Sequence, residues 1–543
     1  MTHDLFSILK SLTTRFSEAA RSLGVSDAVI NLERPKEITH GDFSTPLAMV
    51  LAKTLKKPPL FIATELVKVL KVDPELVQRV EVAPPGYINI RLNPMVFYSL
   101  LESLLSSDLD YGKNDQLKDQ RILLEFVSAN PTGPLNVVSA RAAALGDSMA
   151  NLLTASGAEV VREYYVNDAG VQARLFGESL AAACDRLKGK NTQAPEGGYQ
   201  GAYMEDLGRL YLSLDITPDF AQWGMDQVLQ WHKNSLARYG VVFDNWFSEK
   251  KELHNTGLVA QTIEDLKKSG LTYEKEGALW IKVSEYGAPK DEVLVKSDGS
   301  PAYFAADIAY HLGKFKRGFS KLVDIWGPDH HGHVLRMTSA LKAAKCPIEN
   351  FMVLISQQVN LLEGGEKVKM SKREGKFVTM DELLEKAGKD AARFFFVMRG
   401  ANSHLDFDVE IAKKQTDENP VFYVQYAHAR ICSLLKKTGE RGFVPVLKAS
   451  GFGSLREEEA FLLLKELMDY PQWVAESGRA YEPHRMVVYL QTLAADFHLF
   501  YSKHRILDAP KEVAEARLGL ALGVKNVIRN ALSLIGVSAP EQM

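Results

Sequence analysis

Two segments far apart in the chain carry residues suited to binding a polyphosphate. Residues 126–141 follow an apolar run and precede a run of small, helix-forming residues, which predicts a strand, a turn and a helix. Such a turn presents backbone N–H groups and the positive end of a helix to phosphate. Residues 367–375 place Lys369 and Lys372 on a short loop between glycines, where mobile cations can close over a polyphosphate. Together the segments predict the two halves of one ATP site.

Composition sets few limits on the partners of this chain. It has 543 residues, 46% of them apolar, which is enough for roughly three domains of about 150 residues each. No apolar stretch approaches the roughly 20 residues that span a bilayer, and the first residues lack the basic start of a secretion signal, so we expect a cytoplasmic protein. A net charge of −3 neither supports nor excludes RNA, which local patches would have to hold.

The cysteines and histidines do not predict a metal site. The three cysteines are too scattered for a Cys-x-x-Cys pair and lie in partly apolar, helix-like segments, so we expect them to be reduced core residues. The histidines at 330, 331 and 333 have a spacing that zinc could use. They lack a paired carboxylate or cysteine cluster, however, and are insufficient for a zinc site.

The apolar pattern predicts three domains that would position these segments. Residues 1–110 begin with an amphipathic helix and later contain a period-two strand at 87–92, which predicts a small α/β domain. In residues 115–400 apolar strands alternate with helices, which predicts an α/β fold with a doubly wound, Rossmann-like parallel sheet. Residues 415–543 read as helix throughout and predict a separate all-α bundle.

Individual elements can also be placed. Strands of the parallel sheet are predicted at 122–126, 160–166, 322–326 and 351–355. A polar segment at 189–201 and a strand-like segment at 278–283 interrupt the alternation and are predicted to be insertions. Thr379 and Glu382 have the spacing of a capping box that opens a helix. Helices of the bundle are predicted at 421–435, 457–468, 485–501 and 511–535.

A series of short motifs runs through the chain in a fixed order. The motifs are Gly-Asp-Phe-Ser-Thr-Pro at 41–46, Ala-Pro-Pro-Gly-Tyr-Ile-Asn at 83–89, Ser-Ala-Asn-Pro-Thr-Gly-Pro-Leu at 128–135, Arg-Glu-Tyr-Tyr-Val-Asn-Asp-Ala-Gly at 162–170, Asp-Gly-Ser at 298–300, Trp-Gly-Pro-Asp-His-His-Gly at 326–332, Lys-Met-Ser-Lys at 369–372 and the segment 419–430. The series resembles arginyl-tRNA synthetases, which are class I aminoacyl-tRNA synthetases, along nearly the whole length. The resemblance implies an N-terminal tRNA-contacting domain, a catalytic domain and an anticodon-binding helical domain, in a protein expected to be a monomer.

Two carboxylates predict a pocket for arginine. A guanidinium is planar, permanently charged and forked, so its pocket needs carboxylates that accept paired N–H bonds. Glu125 lies at the carboxyl end of the first sheet strand, where ligands bind in such folds, and Asp307 follows Tyr303 by one helical turn. By resemblance, both carboxylates, Asn130 and Tyr303 match the family's arginine-contacting positions. The alternative is that Glu125 and Asp307 are ordinary salt-bridge partners of residues such as Arg141.

The resemblance also assigns roles to the ATP segments. The turn at 130–135 and the helix after it should hold the triphosphate, the turn at 327–331 the ribose and adenine, and Lys369 and Lys372 the pyrophosphate, with magnesium bridging the phosphates. The predicted ATP-binding residues are Pro131, Thr132, Gly133, Pro134, Gly327, Asp329, His330, His331, Met370 and Ser371. An isolated Lys-x-x-Lys is more often a solvated basic turn, but the glycines around it and the intervening Met-Ser favour the loop.

One motif departs from the family's pattern. Where the family usually carries His-x-Gly-His, this chain has Asn136, Val137, Val138 and Ser139, so both histidines are absent. One preorganised donor of this kind is worth about 10²- to 10³-fold in rate. Asn136 can donate through its amide and Ser139 through its hydroxyl, and we predict that they act in catalysis with Lys369 and Lys372. Val138 fills space where glycine would let adenine approach the backbone.

The reaction implied is activation of L-arginine by ATP and its transfer to the 3′ end of tRNA(Arg). Tyr423, Tyr426 and Arg430 offer aromatic and cationic faces for unstacked anticodon bases, although their spacing equally fits helix packing. The terminal Met543 resembles the family's usual ending and is placed near the anticodon. Two alternatives stay open, namely a tRNA-binding paralogue with impaired catalysis and a different nucleotidyltransferase on the same fold.

Overall fold

The N-terminal residues fold into a small α/β unit. The computed structural model describes residues 4–35, 37–214, 218–368 and 378–543. The elements of this unit are α1 (Leu5–Ser22), β1 (Phe43–Thr45), α2 (Leu47–Leu55), α3 (Pro59–Val69), β2 (Val77–Ala83), β3 (Tyr87–Leu92) and α4 (Pro94–Ser107). The strands form an antiparallel sheet in the order β1-β3-β2, and the predicted strand at 87–92 is confirmed. The predicted amphipathic helix is also confirmed, since α1 buries Leu5, Ile8, Leu12 and Phe16.

The central part of the chain is an α/β domain built on a parallel sheet. Its elements are β4 (Arg121–Glu125), α5 (Val137–Ala155), β5 (Glu159–Val166), α6 (Gly170–Leu187), α7 (Ala202–Leu212), α8 (Phe220–Arg238), β6 (Asn245–Ser248), α9 (Leu258–Lys268), β7 (Thr272–Lys275), β8 (Ala278–Ile281), β9 (Glu292–Val295), α10 (Tyr303–Lys316), β10 (Lys321–Trp326), α11 (His331–Ala343), β11 (Phe351–Ile355), β12 (Val359–Glu363), β13 (Glu366–Lys367), α12 (Met380–Ala387), α13 (Lys389–Val397), β14 (Leu405–Asp408) and α14 (Val409–Lys413). The sheet order is β11-β10-β4-β5-β6, with every neighbouring pair parallel. The doubly wound prediction is therefore confirmed, and β6 is a strand that the sequence did not predict.

Two insertions interrupt the sheet. The first comprises α6, α7 and α8, which pack around their own apolar cluster. The sequence marked only the polar segment 189–201 of it, which contains neither helix nor strand. The second is an antiparallel sheet in the order β7-β8-β9, and it includes the predicted strand-like segment.

The C-terminal residues form the predicted helical bundle. Its helices are α15 (Pro420–Gly439), α16 (Glu458–Ala480), α17 (His484–Lys503) and α18 (Lys511–Leu534). Helix α16 was predicted to end near residue 468, which is wrong, because it continues through Pro471. The continued part buries Tyr470 and Val474, so tertiary packing overrides the local cost of proline in a helix.

One buried arginine joins the bundle to the catalytic domain. Arg393 of α13 is fully buried, and its guanidinium donates to the carbonyl of Ile535 (2.8 Å) at the end of α18, to that of Tyr239 (3.2 Å) after α8 and to Asp147 (2.6 Å) on α5. Gly536 packs against it with φ of +68°, and an added Cβ there would lie 2.2 Å from Cζ of the arginine. The chain must therefore turn at a glycine here to admit the guanidinium.

Candidate active site

A cavity of about 560 Å³ opens at the carboxyl edge of the parallel sheet. Strands β4, β5 and β10 end at it, and α10 and the start of α11 form its other walls. Its lining includes these predicted residues: Glu125, Asn130, Tyr303, Asp307, Gly327, Asp329 and His330. All four arginine candidates and part of the ATP candidates therefore share one pocket.

Three carboxylates lie side by side beneath this pocket. Glu125 of β4 is in register with Asp324 of β10 on one side and with Glu163 of β5 on the other. Residues in register on neighbouring parallel strands point to the same face of the sheet, and all three are buried. The sequence nominated only Glu125, because the register between strands separated by many residues is not visible in a sequence.

Cations of α10 neutralise most of this row. Lys314 is fully buried and donates to Glu125 and to Asp324, the latter at 2.7 Å. Arg317, directly after the helix, makes a paired bond to Glu163 at 2.6 and 2.8 Å. The alternative, in which Glu125 and Asp307 are salt-bridge partners, named the wrong partner: Glu125 pairs with Lys314 and Asp307 lies beside His333, whereas the Arg141 guanidinium donates to backbone carbonyls of residues 357, 400 and 403.

Basic side chains of α10 and of the residue after it contact every member of this row. Besides Lys314 and Arg317, His311 contacts Asp324, with its Nε2 2.9 Å from Oδ2. Its Nδ1 lies 2.8 Å from the carbonyl oxygen of Asp307, so both ring nitrogens face acceptors. Burial raises the pKa of the Glu125 carboxyl, and the contact with Lys314 works against that rise. Glu125 is also the member of the row that lines the cavity.

One face of α10 carries the pocket residues. Tyr303, Asp307, Tyr310, Lys314 and Arg317 recur every three or four positions, so they project on one side of a helix. The Tyr310 hydroxyl lies between the carboxylates of β4 and β5, at 2.9 and 2.7 Å. Of these five residues, only Tyr303 and Asp307 were predicted from the sequence. The same periodicity also identifies the other three.

The remaining arginine candidates lie nearer the mouth. Asp307 is half-buried, and its Oδ2 lies 3.3 Å from Nε2 of His333. The hydroxyl of Tyr303 accepts a bond from the backbone N–H of Val171 at 3.2 Å. Asn130 donates through its amide to Gln172, which also lines the cavity. The mouth therefore combines one accessible carboxylate with polar groups.

The turn that follows Glu125 is strained and held from several sides. Val127 and Ser128 have φ of +68° and +39°, a region that non-glycine residues rarely occupy. The Ser128 hydroxyl donates to Glu125 at 2.9 Å and accepts from the backbone N–H of Tyr165 at 3.1 Å. Strain of this kind persists only where surrounding contacts fix the backbone, as they do here.

Asn136 begins the helix after this turn. Its side-chain oxygen accepts from the N–H (3.0 Å) and the hydroxyl (3.2 Å) of Ser139, which makes it the N-cap of α5. The carbonyl of Leu135 accepts from the N–H of Met380 at 2.8 Å, so the chain just beyond the lysine loop is tied to the start of α5. The predicted residues Lys369, Met370, Ser371 and Lys372 lie outside the described residues.

The second predicted ATP turn lies at the start of α11. Gly327, Asp329 and His330 line the cavity, while His331 begins the helix and contacts Gln357 at 3.3 Å. Burial, followed by the neighbouring His333, lowers the pKa of His330. The predicted residues from Pro131 to Pro134 follow Asn130 directly but do not belong to the described lining of the cavity.

His232 of α8 is a buried imidazole behind the first ATP turn. Its Nε2 donates to the carbonyl of Gly133 at 2.8 Å, and its Nδ1 lies 2.9 Å from the hydroxyl of Tyr164. Burial lowers the pKa of His232 to about 4, against the opposing effect of the bond to Gly133. The ring is therefore neutral near pH 7.

We expect His232 to make folding sensitive to acid. Its pKa is about 4 in the folded protein, whereas a freely solvated histidine has a pKa of 6.5, so the unfolded chain takes up the proton first as pH falls. The contribution of neutral His232 to the free energy of unfolding is thus complete above pH 6.5. It is lost as the pH falls toward 4, by up to about 3 kcal/mol. Urea unfolding of the wild type and of His232→Gln at about pH 7.5 and about pH 5 measures this. An equal loss in both proteins would contradict the assignment.

Comparisons with known proteins cover the whole chain. Family models match at residues 10–92 (arginyl tRNA synthetase N terminal domain), at 100–209 and 226–409 (tRNA synthetases class I (R), catalytic domain) and at 424–543 (DALR anticodon binding domain). The chain is 46% identical over 524 residues to an arginine–tRNA ligase of Desulforamulus reducens, covering 94% of this chain and 93% of that protein. It is 42% identical to an arginine–tRNA ligase of Carboxydothermus hydrogenoformans, covering 100% of both. The chain belongs to the arginyl-tRNA synthetase family. The arginyl-tRNA synthetase structure of Thermus thermophilus has a TM-score of 0.76 and 25% identity to it, covering 98% of this chain and 100% of that one.

Family membership resolves the alternatives left by the sequence. The matching relatives are arginine–tRNA ligases over nearly their full length, and none of them favours a paralogue with impaired catalysis. The helical domain matched at 424–543 also separates the chain from a nucleotidyltransferase that shares only the fold. Within the altered motif, Asn136 caps α5.

Helix α15 of this arginyl-tRNA synthetase carries an aromatic and cationic cluster. Arg430 donates to the Tyr426 hydroxyl at 2.9 Å, with its guanidinium 4.5 Å from that ring's centroid. His498 of α17, which the sequence did not nominate, lies 4.8 Å from the Tyr423 ring and 3.2 Å from Arg430. Met543 is exposed. Across the described residues, no helix is both long enough and apolar enough to cross a membrane.

Proposed function

We propose that the cavity binds L-arginine and that the two turns beside it bind ATP. As a member of its family, the chain is an arginine–tRNA ligase, which activates arginine to arginyl-adenylate and transfers it to the 3′ end of tRNA(Arg). The single observation that carries the pocket assignment is that two carboxylates, Glu125 at the floor and Asp307 near the mouth, line one cavity together with Asn130 and Tyr303.

Arginine would enter with its guanidinium toward the floor. Glu125 and Asp307 would accept its N–H bonds from two sides, Tyr303 would contact its chain, and Asn130 would bind its amino or carboxylate end. An uncharged isostere such as citrulline would leave Glu125 and Asp307 without the charged N–H groups of the substrate. Leaving a buried charge unpaired costs roughly 3 to 5 kcal/mol, which is the basis for rejection.

ATP would lie between the turn at 130–135 and the turn at 327–331. The N-terminal N–H groups of α5 and the Asn136 amide would face the phosphates, and the Ser139 hydroxyl would join them by giving up its bond to the Asn136 oxygen. Lys369 and Lys372 would close over the pyrophosphate. Magnesium would travel with the nucleotide, since the described residues include no group of three or more His, Cys, Asp or Glu that could hold a metal ion by itself. It would neutralise phosphate charge there.

The chemistry consists of two displacements. An arginine carboxylate oxygen forms a bond to the ATP α-phosphorus while the bond to pyrophosphate breaks, which yields arginyl-adenylate. A hydroxyl of the terminal tRNA adenosine then attacks the activated carbonyl, loses its proton and expels AMP. Alignment and charge stabilisation by the residues above would supply the catalysis, without a covalent protein nucleophile.

The other domains would hold the tRNA. We propose that Tyr423, Tyr426, Arg430 and Met543 lie near the anticodon and that residues 1–110 meet the tRNA elbow. Stacking of bases on aromatic and guanidinium faces supports the first assignment. A monomeric, cytoplasmic enzyme divided at 1–110, 115–400 and 415–543 completes the proposal.

Arginine-dependent exchange of pyrophosphate into ATP tests the function. We expect exchange that requires both arginine and tRNA(Arg), since members of this family generally need bound tRNA for activation. Exchange that ignores arginine would contradict the proposal. Binding of tRNA(Arg) without any exchange or charging would instead indicate the impaired paralogue.

A further inference from the structure

The helical insertion contacts the first ATP turn through buried polar side chains. The Tyr203 hydroxyl of α7 donates to the carbonyl of Thr132 at 3.0 Å, and His232 of α8 donates to the carbonyl of Gly133 at 2.8 Å. From β5, the Tyr164 hydroxyl lies 2.8 Å from the carbonyl of Ala129 and 2.9 Å from Nδ1 of His232, and it has one proton for these two acceptors. The carbonyls of Thr132 and Gly133 thus each have an aromatic donor from the insertion, while Ala129 shares Tyr164 with the imidazole.

A hydrogen bond that fixes a carbonyl group also fixes the direction of the N–H group in the same peptide unit. A trans peptide is planar, with its N–H directed away from its C=O. The bond to Thr132 therefore directs the N–H group of Gly133 away from Tyr203. Asn130, at the start of the same turn, lines the cavity.

The other contacts of this turn lie mainly at its two ends. The Ser128 hydroxyl holds the strained approach at Val127 and Ser128, and the bond from the Met380 N–H holds the carbonyl of Leu135. Pro131 and Pro134 supply no N–H groups that could anchor it. The donors, in contrast, are rigid: the insertion has its own core, and Tyr164 is fully buried and stacks on Trp246 with centroids 4.4 Å apart.

We propose that Tyr203, His232 and Tyr164 are positioning residues for ATP, and that the helical insertion is a brace for the phosphate-binding turn. The inference rests on the proposed function, since it takes residues 130–135 as the ATP site. It assigns a role to an insertion that the reaction itself does not require. It also predicts that loss of a single hydroxyl far from arginine weakens the binding of ATP but not the binding of arginine.

Tyr203→Phe tests the brace with a minimal change. Loss of one buried hydrogen bond, worth about 1 kcal/mol, should raise the KM and the calorimetric Kd for magnesium-ATP roughly 5- to 10-fold. The KM for arginine should change less than about twofold. His232→Phe should act in the same direction, while His232→Gln, whose amide can donate to the Gly133 carbonyl, should recover part of the loss.

Tyr211→Phe is the matched control. Its hydroxyl also donates to a backbone carbonyl, that of Pro218, within the same insertion but away from the turn. Thermal unfolding of each variant checks that it is folded. The proposal is overturned if Tyr203→Phe and the folded His232 variants raise the KM and the Kd for magnesium-ATP no more than Tyr211→Phe does. Calorimetric ATP binding reports on the brace even if exchange is absent, so failure of the proposed function remains distinguishable.

Discussion

Replacing Asp307 by asparagine should raise the KM for arginine roughly 100-fold while the KM for ATP stays within about threefold. The substitution keeps the shape of the side chain and removes the charge that faces the guanidinium. Loss of one partner of a charged pair costs about 2 to 5 kcal/mol, and a value near 3 suits a carboxylate that is only half-buried. Pyrophosphate exchange at varied arginine and varied ATP measures both constants.

Asp265→Asn provides the control for this substitution. Asp265 lies on the exposed side of α9, in the same domain, and its carboxylate contacts only a neighbouring glutamine among the described residues. It should leave both constants unchanged. If Asp307→Asn raised the two KM values equally, the carboxylate would not be the one that selects arginine.

Replacing Lys314 by methionine should destabilise the protein by about 3 kcal/mol or more. The substitution removes the cation that Glu125 and Asp324 share and leaves the pair with only His311, 2.9 Å from Asp324, as a described basic neighbour; an uncompensated buried charge typically costs about 3 to 5 kcal/mol. Without the lysine, both carboxyls would have raised pKa values and would be stabilised by protonation. A folded pKa above the unfolded value means that stability is lost as pH rises, so the deficit should be larger at about pH 8 than at about pH 5.

Charge removal on the partner supplies the control. Adding Asp324→Asn to Lys314→Met removes one of the two carboxylates that share the lysine and should restore part of the lost stability. The effects of the two substitutions would then be non-additive, as is usual for coupled residues. Urea unfolding monitored by tryptophan fluorescence gives these values. A deficit that is independent of pH and is not relieved by the second substitution would mean that lost packing, rather than charge, explains the effect.

Local patterns were enough to predict the sheet and the first carboxylate. Strand β4 is buried on both faces and reads as a continuous apolar run, and the capping box at Thr379 is present in full. Glu125 could be nominated because it ends such a strand. Its neighbours Glu163 and Asp324 could not, since their roles depend on the register of three strands that approach each other only in the folded chain.

The brace of the ATP turn shows a second limit. Tyr203 and His232 act on carbonyls about 70 and 100 residues earlier in the chain. A tyrosine and a histidine on helices of an insertion look like core residues, and in part they are. Nothing local marks the backbone groups that they hold, and so the sequence could place the turn but not its support.

The guanidinium of Arg393 gives the terminal helix a part in the integrity of the catalytic domain. Two of its acceptors are main-chain oxygens, one of them at residue 535, only eight positions before the last residue. A shortened form that stops ahead of that oxygen would keep a permanent charge in its interior with one bond missing. Removal of residue 535 would therefore disturb the place where the end of α18 and helix α5, which follows the ATP turn, meet at one guanidinium.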